Sequence, residues 1–372
     1  MMEYVNLGDV ATYINGYAFK PEQRGKKGLP IIRIQDLNGN SHDLGFFDGE
    51  YPKQVEINAG DILISWSGSL GVYKWNKGKA LLNQHIFKVL FNKIKIDKEY
   101  FCYAVKNSLS VMSQQTHGAT MKHITKKDFD KVLIPYPSLN TQRKIAQKLN
   151  IVTELIVFYE TELSLMEQLI KARFVEMFGD PIINPYGFPV KKIDEVAVLN
   201  KGITYSPDDI SKEGIIVLRS GNIKGNAFDL EDIVRISKKI SNDKLVNEND
   251  ILMCNRNGSV NLVGKVAKIP KLEEKMTFGT FMTIVRSEIF EYLFVFFQMN
   301  AFREQIKFQT AVAINQISLP LLASVKVPIP TNELIKEFAD FVEQVDKSRE
   351  AVKKSLEKTQ QLYDSLMQEY FG

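Results

Sequence analysis

Two segments of the chain carry apolar residues at alternating steps of four and three for nearly five heptads. In the first, Ile145, Leu149, Val152, Ile156, Tyr159, Leu163, Met166, Ile170 and Met177 form one stripe, with Arg173 as its one polar member. In the second, Phe338, Val342, Val345, Val352, Leu356, Tyr363, Leu366 and Tyr370 do the same, interrupted by Arg349 and Thr359. A repeat of about 3.5 residues marks a helix that buries its stripe against another helix. A helix over 141–178 runs about 57 Å at 1.5 Å per residue, more than a domain of this size buries internally. Each stripe therefore needs an equally long partner, and only the other supplies one; antiparallel pairing is expected. The polar members have two readings: they fix register at a cost in stability, or their heads reach solvent from the edge.

Ahead of each stripe the chain reads as mixed short strands and loops, strand-like runs set between Gly, Asn and Pro. Strands are expected over 29–35, 61–66, 85–91 and 131–134, and again over 214–220, 250–255, 280–286 and 323–327, with helices over 100–113 and 288–307. The two series are one pattern written twice. At an offset of 186, Leu7, Val10, Ala11, Gly16, Phe19, Arg33, Gly39 and Asn40 meet Ile193, Val196, Ala197, Gly202, Tyr205, Arg219, Gly225 and Asn226. At 193, Ile124, Val132, Pro135, Pro137, Ala146, Leu163, Leu169, Phe178 and Gly179 meet Ile317, Val325, Pro328, Pro330, Ala339, Leu356, Leu362, Phe371 and Gly372. A period this long means two homologous domains rather than a solenoid.

The expected fold is α+β: two homologous domains separated by two long helices that form an antiparallel coiled coil with pseudo-twofold symmetry. The divisions are a first domain over 1–137, a first long helix over 138–180, a linker and second domain over 181–330, and a second long helix over 331–372.

Composition adds little beyond exclusions. With 44% hydrophobic and 25% charged residues the 372-residue chain is of ordinary globular type. No run approaches a membrane span, and Glu3, Asn6 and Asp9 stand where a signal peptide needs apolar residues. Two cysteines, Cys102 and Cys254, make no disulfide framework, so a cytoplasmic location is expected. The net charge of +4 is mildly basic. The excess lies in the domains, five positive charges over 1–137 and three over 187–330, which makes them the candidate DNA-facing parts.

With these features the chain resembles the specificity subunits of type I restriction–modification enzymes, the HsdS family. The resemblance covers the whole sequence and rests on duplicated strings in one order. These are Leu7-Gly8-Asp9-Val10 and Ile193-Asp194-Glu195-Val196; Ile31-Ile32-Arg33-Ile34 and Val217-Leu218-Arg219-Ser220; Gly60-Asp61-Ile62-Leu63-Ile64-Ser65 and Asn249-Asp250-Ile251-Leu252-Met253. Ile134-Pro135-Tyr136-Pro137 and Val327-Pro328-Ile329-Pro330 then lead into the helices, and Met177-Phe178-Gly179-Asp180-Pro181 with Asn184-Pro185 looks like the family's central region. The resemblance implies that 1–137 and 187–330 are target-recognition domains, each reading one half of a bipartite site in double-stranded DNA. The helices would set the spacing and help bind two methyltransferase (modification) subunits, with restriction/translocase subunits completing the nuclease complex. No cofactor is implied for this chain; AdoMet belongs to the methyltransferase partner, and ATP and Mg to the restriction partner.

No enzymatic motif competes with that reading. Asn184-Pro185-Tyr186 lacks the second proline of the amino-methyltransferase motif and sits in a turn. The stretch from Gly258 to Gly264-Lys265 has one residue too many for a phosphate loop, and Val266 stands where Ser or Thr would hold magnesium. His42, His85, His117 and His123 have no partner at a zinc spacing. Asp208-Asp209 lies in a turn-like context without a nuclease pattern.

Candidate DNA contacts are loop positions where Arg or Lys can grip phosphate or guanine, Asn or Gln can pair with adenine, and aromatics can pack on bases. In the first domain they are Tyr17, Lys20, Arg24, Lys26, Lys27, Trp66, Lys74, Trp75, His117, Lys122 and His123. In the second they are Tyr205, Arg219, Arg256, Asn257, Gln309, Asn315 and Gln316. Trp66 and Tyr17 are equally readable as core, and Arg33 and Arg219 as scaffold, since they share one framework position. Trp66-Ser67 against Asn255-Arg256 marks a place where two different half-sites would be read. The competing function class is a coiled-coil adaptor with duplicated heads and no DNA specificity.

Overall fold

Strand alternation sends neighbouring side chains to opposite faces, and the central strand of each domain is apolar on both. The structure, a computed structural model, describes residues 3–40, 43–115, 125–307 and 316–372. It divides into two units, 1–160 with 354–372, and 161–353.

In the first unit the strands β1 (Thr12–Asn15), β2 (Ile62–Ser65), β3 (Gly71–Lys74) and β4 (Ile86–Leu90) form an antiparallel sheet in the order β1-β4-β2-β3. Ile62 and Ile64 face a core with Tyr100, Phe101, Ala104 and Val105 from the helix Lys98–Gln115. Leu63 faces the other way, into a smaller core with Ile32, Ile57, Trp75 and Leu82. A second sheet lies there, ordered Phe46–Phe47, Leu29–Ile32, Ala80–Leu82, Glu56–Ile57, with one parallel pair.

The second unit repeats the plan. Strands β5 (Val198–Lys201), β6 (Ile251–Cys254), β7 (Val266–Lys268) and β8 (Met282–Arg286) are ordered β5-β8-β6-β7. Ile251 and Met253 face the helical core while Leu252 and Cys254 face the other. The expected helix over 288–307 is two helices, Phe290–Phe296 and Asn300–Lys307. Between them the amides of Gln298 and Met299 bond only three residues back, and the turn lets Phe302 fold edge-on to Phe297 at 5.0 Å. The strand expected over 323–327 also differs: Leu319–Ser324 is helical, capped by the Ser318 hydroxyl, and the strand is Lys326–Pro328. Likewise the run expected over 29–35 ends early, because the Asp36 carboxylate accepts from the Arg33 amide and starts a short helix, Ile34–Leu37.

The long helices are Leu139–Phe178 and Asn332–Phe371, each 40 residues, and none is long and apolar enough to cross a membrane among the described residues. Each unit holds the first half of its own copy's helix and the last half of the other's. Ile145, Leu149 and Val152 share a core with Tyr363 and Met367 in the first unit, and Ile170 and Phe174 with Phe338 and Val342 in the second. High numbers on one helix meet low numbers on the other within each unit, so the pairing is antiparallel.

At the C-terminal end of each helix the four-three alternation gives way to steps of four: Ile170, Phe174, Phe178, and Tyr363, Met367, Phe371. Four residues turn the helix slightly more than a full revolution, so these side chains rotate from the partner helix onto the domain. Phe178 meets the Tyr292 ring at 5.0 Å, and Phe371 meets Tyr100 at 5.3 Å. Each tyrosine hydroxyl donates to a proline carbonyl, Pro328 at 2.6 Å and Pro135 at 2.9 Å. The polar stripe members divide between the two readings. Arg173 pairs with Glu337 across the helices at 2.8 Å, Arg349 reaches Glu167 at 3.5 Å, and the Thr359 hydroxyl donates to Ser355 in its own helix.

Candidate nucleic-acid interface

A glycine opens the candidate surface in each unit. A side chain at Gly202 would place its Cβ 2.0 Å from the Gly279 carbonyl, and one at Gly16 would stand 2.0 Å from that of Asn83. Only glycine permits so close a crossing, and the crossing sets one loop beside the ends of the central strands.

Strand register matches the strand ends of the two units. Ser65 pairs with Ile86 and Cys254 with Met282; Asn15 pairs with Phe87 and Lys201 with Thr283. Trp66, Ser67, His85 and Asn15 thus correspond to Asn255, Arg256, Phe281 and Lys201.

In the second unit these residues line a cleft of about 400 Å³ with Thr280, Gln316 and Ser318. The amides of Asn255 and Arg256 both donate to the Phe281 carbonyl, and the Ile317 amide donates to that of Asn255, so the Arg256 backbone is held on both sides. Its guanidinium lies 5.2 Å from the centroid of the Phe281 ring, which is itself half exposed. Gln316 forms an antiparallel bridge with Arg256. Asn255 is buried; its amide nitrogen donates to the Thr283 hydroxyl, while its side-chain oxygen has no partner.

The first unit fills the same place differently. Trp66 is partly buried, its indole N–H donates to the Asn15 side chain at 3.2 Å, and its ring stacks on Phe87 at 5.6 Å. His85, at a φ of 71°, stands edge-on to Trp66 at 4.9 Å. Trp66 is therefore largely packing, with one edge at the surface. Lys20, Arg24, Lys26 and Lys27 are exposed, and this run of cations follows Tyr17, whose partly buried ring leans on Phe19 at 4.9 Å.

Several sequence candidates have structural partners within their own unit. Trp75, expected at the surface, is instead buried in the smaller core, where its indole donates to the Gly78 carbonyl at 2.8 Å and its ring serves packing. Lys74 is ion-paired to Glu99 on the helix of its own domain, and its counterpart Lys268 bridges Glu291 at 2.8 Å and Asp346 at 2.9 Å. The Asn257 amide ties the loop to Ser220 at 3.0 Å while its oxygen accepts from the Ser259 amide. Arg219 pairs with Asp232 at 2.9 Å. Tyr205 is partly buried and Gln316 exposed. His117, Lys122, His123, Gln309 and Asn315 lie outside the described residues. Sequence reasoning missed Phe281 and Lys201; the signal was available, since Phe281 directly precedes the strand Met282–Arg286 and Lys201 ends the strand Val198–Lys201.

Burial governs the chemistry of the remaining groups. It pushes the Cys102 thiol up to about 12 and that of Cys254 up to about 11, leaving neither thiol reactive at neutral pH. Desolvation also raises Glu291, only partly offset by Lys268. For Asp346 the attraction of Lys268 and Arg349 outweighs desolvation and holds its carboxyl below the usual range.

The model of the type I restriction modification DNA specificity domain matches residues 1–167 and again 185–361. Over 99% of its length the chain is 24% identical to the type I restriction enzyme EcoBI specificity subunit of Escherichia coli, covering 85% of that protein. It is 22% identical to the MjaVIII specificity subunit of Methanocaldococcus jannaschii, over 98% of this chain and 91% of that one. Among solved structures, the S subunit of a type I restriction–modification system from M. genitalium shares the fold, with a TM-score of 0.55 at 16% identity, covering 100% of this chain and 96% of that chain. Two matches of one domain, covering nearly the whole chain, place this protein in the type I restriction–modification DNA specificity family.

Proposed function

We propose that this chain is the non-catalytic subunit that gives a type I restriction–modification complex its DNA sequence specificity. Each recognition domain reads one half of a bipartite site. The observation that carries the reading is the contrast inside one frame: Trp66, Ser67 and His85 occupy the strand-end positions held by Asn255, Arg256 and Phe281 in the other copy. A duplicated scaffold with unlike side chains at matched strand-end positions suits two unlike half-sites. The exposed cations Lys20, Arg24, Lys26 and Lys27 supply sequence-independent phosphate contacts, and the strand-end residues face base edges.

The long helices serve as the spacer between half-sites and as the docking surface for two methyltransferase subunits, which bring AdoMet and the methyl-transfer chemistry. Restriction/translocase subunits, with ATP and Mg, complete the nuclease. The test is DNA binding by the chain together with its methyltransferase, measured across salt concentration. Sequence-selective binding that falls steeply with salt is expected, because released counterions set the slope. Binding that ignores sequence, or no binding, would refute the proposal.

A further inference from the structure

The arginines of the second unit are almost all spoken for. Arg173, Arg219, Arg235, Arg286 and Arg349 each meet a carboxylate, and Arg303 donates to the Val263 carbonyl at 2.6 Å. Arg256 is the exception: among the described residues of that unit its guanidinium has no carboxylate or carbonyl acceptor, and it is exposed. It is nevertheless held in orientation. Its backbone is fixed between the Phe281 carbonyl and the Gln316 bridge, and its head lies over the Phe281 ring.

We infer that Arg256 reads a guanine in the half-site of the second recognition domain, with Phe281 as the platform that sets the plane of its fork. The inference deepens the proposed function and rests on it. A guanidinium offers paired donors, and guanine offers O6 and N7 as paired acceptors on its major-groove edge. Stacking on an aromatic face pre-orients that planar fork. A phosphate contact needs only charge, whereas a planar fork held in one orientation suits a pair of acceptors in fixed geometry. Here the first copy carries the uncharged, buried Ser67 at the matching position.

The experiment uses the chain in complex with its methyltransferase on a library of randomised DNA, with methylated adenines mapped by sequencing for wild type, Arg256→Ala, Arg256→Lys and Phe281→Ala. For Arg256→Ala the expected result is loss of preference at a single G·C pair in one half-site, with discrimination there falling about 5- to 150-fold and the other half-site intact. Arg256→Lys keeps the charge but not the fork, so it should lose the same preference while keeping its salt dependence. Phe281→Ala should weaken preference at that same pair by a smaller factor. A uniform fall in methylation with the motif unchanged would make Arg256 a phosphate contact and overturn the inference, as would full retention of the motif by Arg256→Lys. If the wild-type complex itself shows no motif, the proposed function has failed and not this assignment.

Discussion

The two recognition domains agree where the chain is buried and part company where it meets solvent. Both have a β-sheet whose central strand is covered on two faces, a glycine crossing at Gly16 or Gly202, and a tyrosine that donates to a proline carbonyl. Both also tether the third strand to the following helix by a lysine–glutamate pair, Lys74–Glu99 or Lys268–Glu291. The strand ends differ: an indole packed on Phe87 in one, a stacked guanidinium in the other. Packing constrains the first set, since buried volume and buried hydrogen bonds tolerate little change. The second set diverges within that common frame, as the proposed reading of two unlike half-sites requires.

The anchoring of the domains on the helices is less symmetric, and substitutions at matched positions expose the difference. Phe338 is fully buried against Phe174 and Phe178, at 5.6 Å and 5.3 Å between ring centroids, while its counterpart is the smaller Ile145. Phe338→Ala should cost about 3–5 kcal/mol, and Ile145→Ala should fall toward the lower end of roughly 2–5 kcal/mol. Hydrogen exchange locates the loss: protection should drop in the second unit for the first variant and in the first unit for the second.

A smaller asymmetry lies at Asp346 and Thr153. Asp346 holds Lys268 and Arg349 at 2.9 Å and 2.8 Å, whereas Thr153 shares a hydroxyl contact with Tyr103 at 3.2 Å. Asp346→Asn should cost about 1–2 kcal/mol, given its partly exposed setting, and Thr153→Ala about 0.5–1 kcal/mol. The sign with pH is fixed by the lowered carboxyl of Asp346. The folded state favours its ionised form, so its contribution is complete at neutral pH and is lost as pH falls below about 4. Denaturant unfolding of wild type and Asp346→Asn should therefore converge in acid. An effect of similar size is expected for Tyr100→Phe and Tyr292→Phe, each losing one hydrogen bond worth about 1 kcal/mol; unequal losses would break the proposed equivalence of these two anchors.

The long helices and the duplication were legible because each leaves a period in the sequence. Three features left none. The end of each helical stripe turns onto the domain through Phe174 and Met367, a shift set by tertiary packing that a strict heptad count passes over. The break between Phe296 and Asn300 lies in a run apolar enough for one helix, and is decided by where Phe302 finds Phe297. Trp75 and Trp66 are alike in sequence, but only the fold buries one and leaves the other an exposed edge. At the candidate surface Arg256 was visible as a difference between copies; Phe281, which orients it, depends on a cross-strand neighbour.

The most direct test of the central claim is to exchange residues 187–330 for the matching domain of a relative and map the adenines methylated by the resulting complex. One half-site should change to that of the donor while the other half and the spacer persist. A chimera that methylates efficiently with both half-sites altered, or with neither, would contradict the account of two independent readers on one repeated frame.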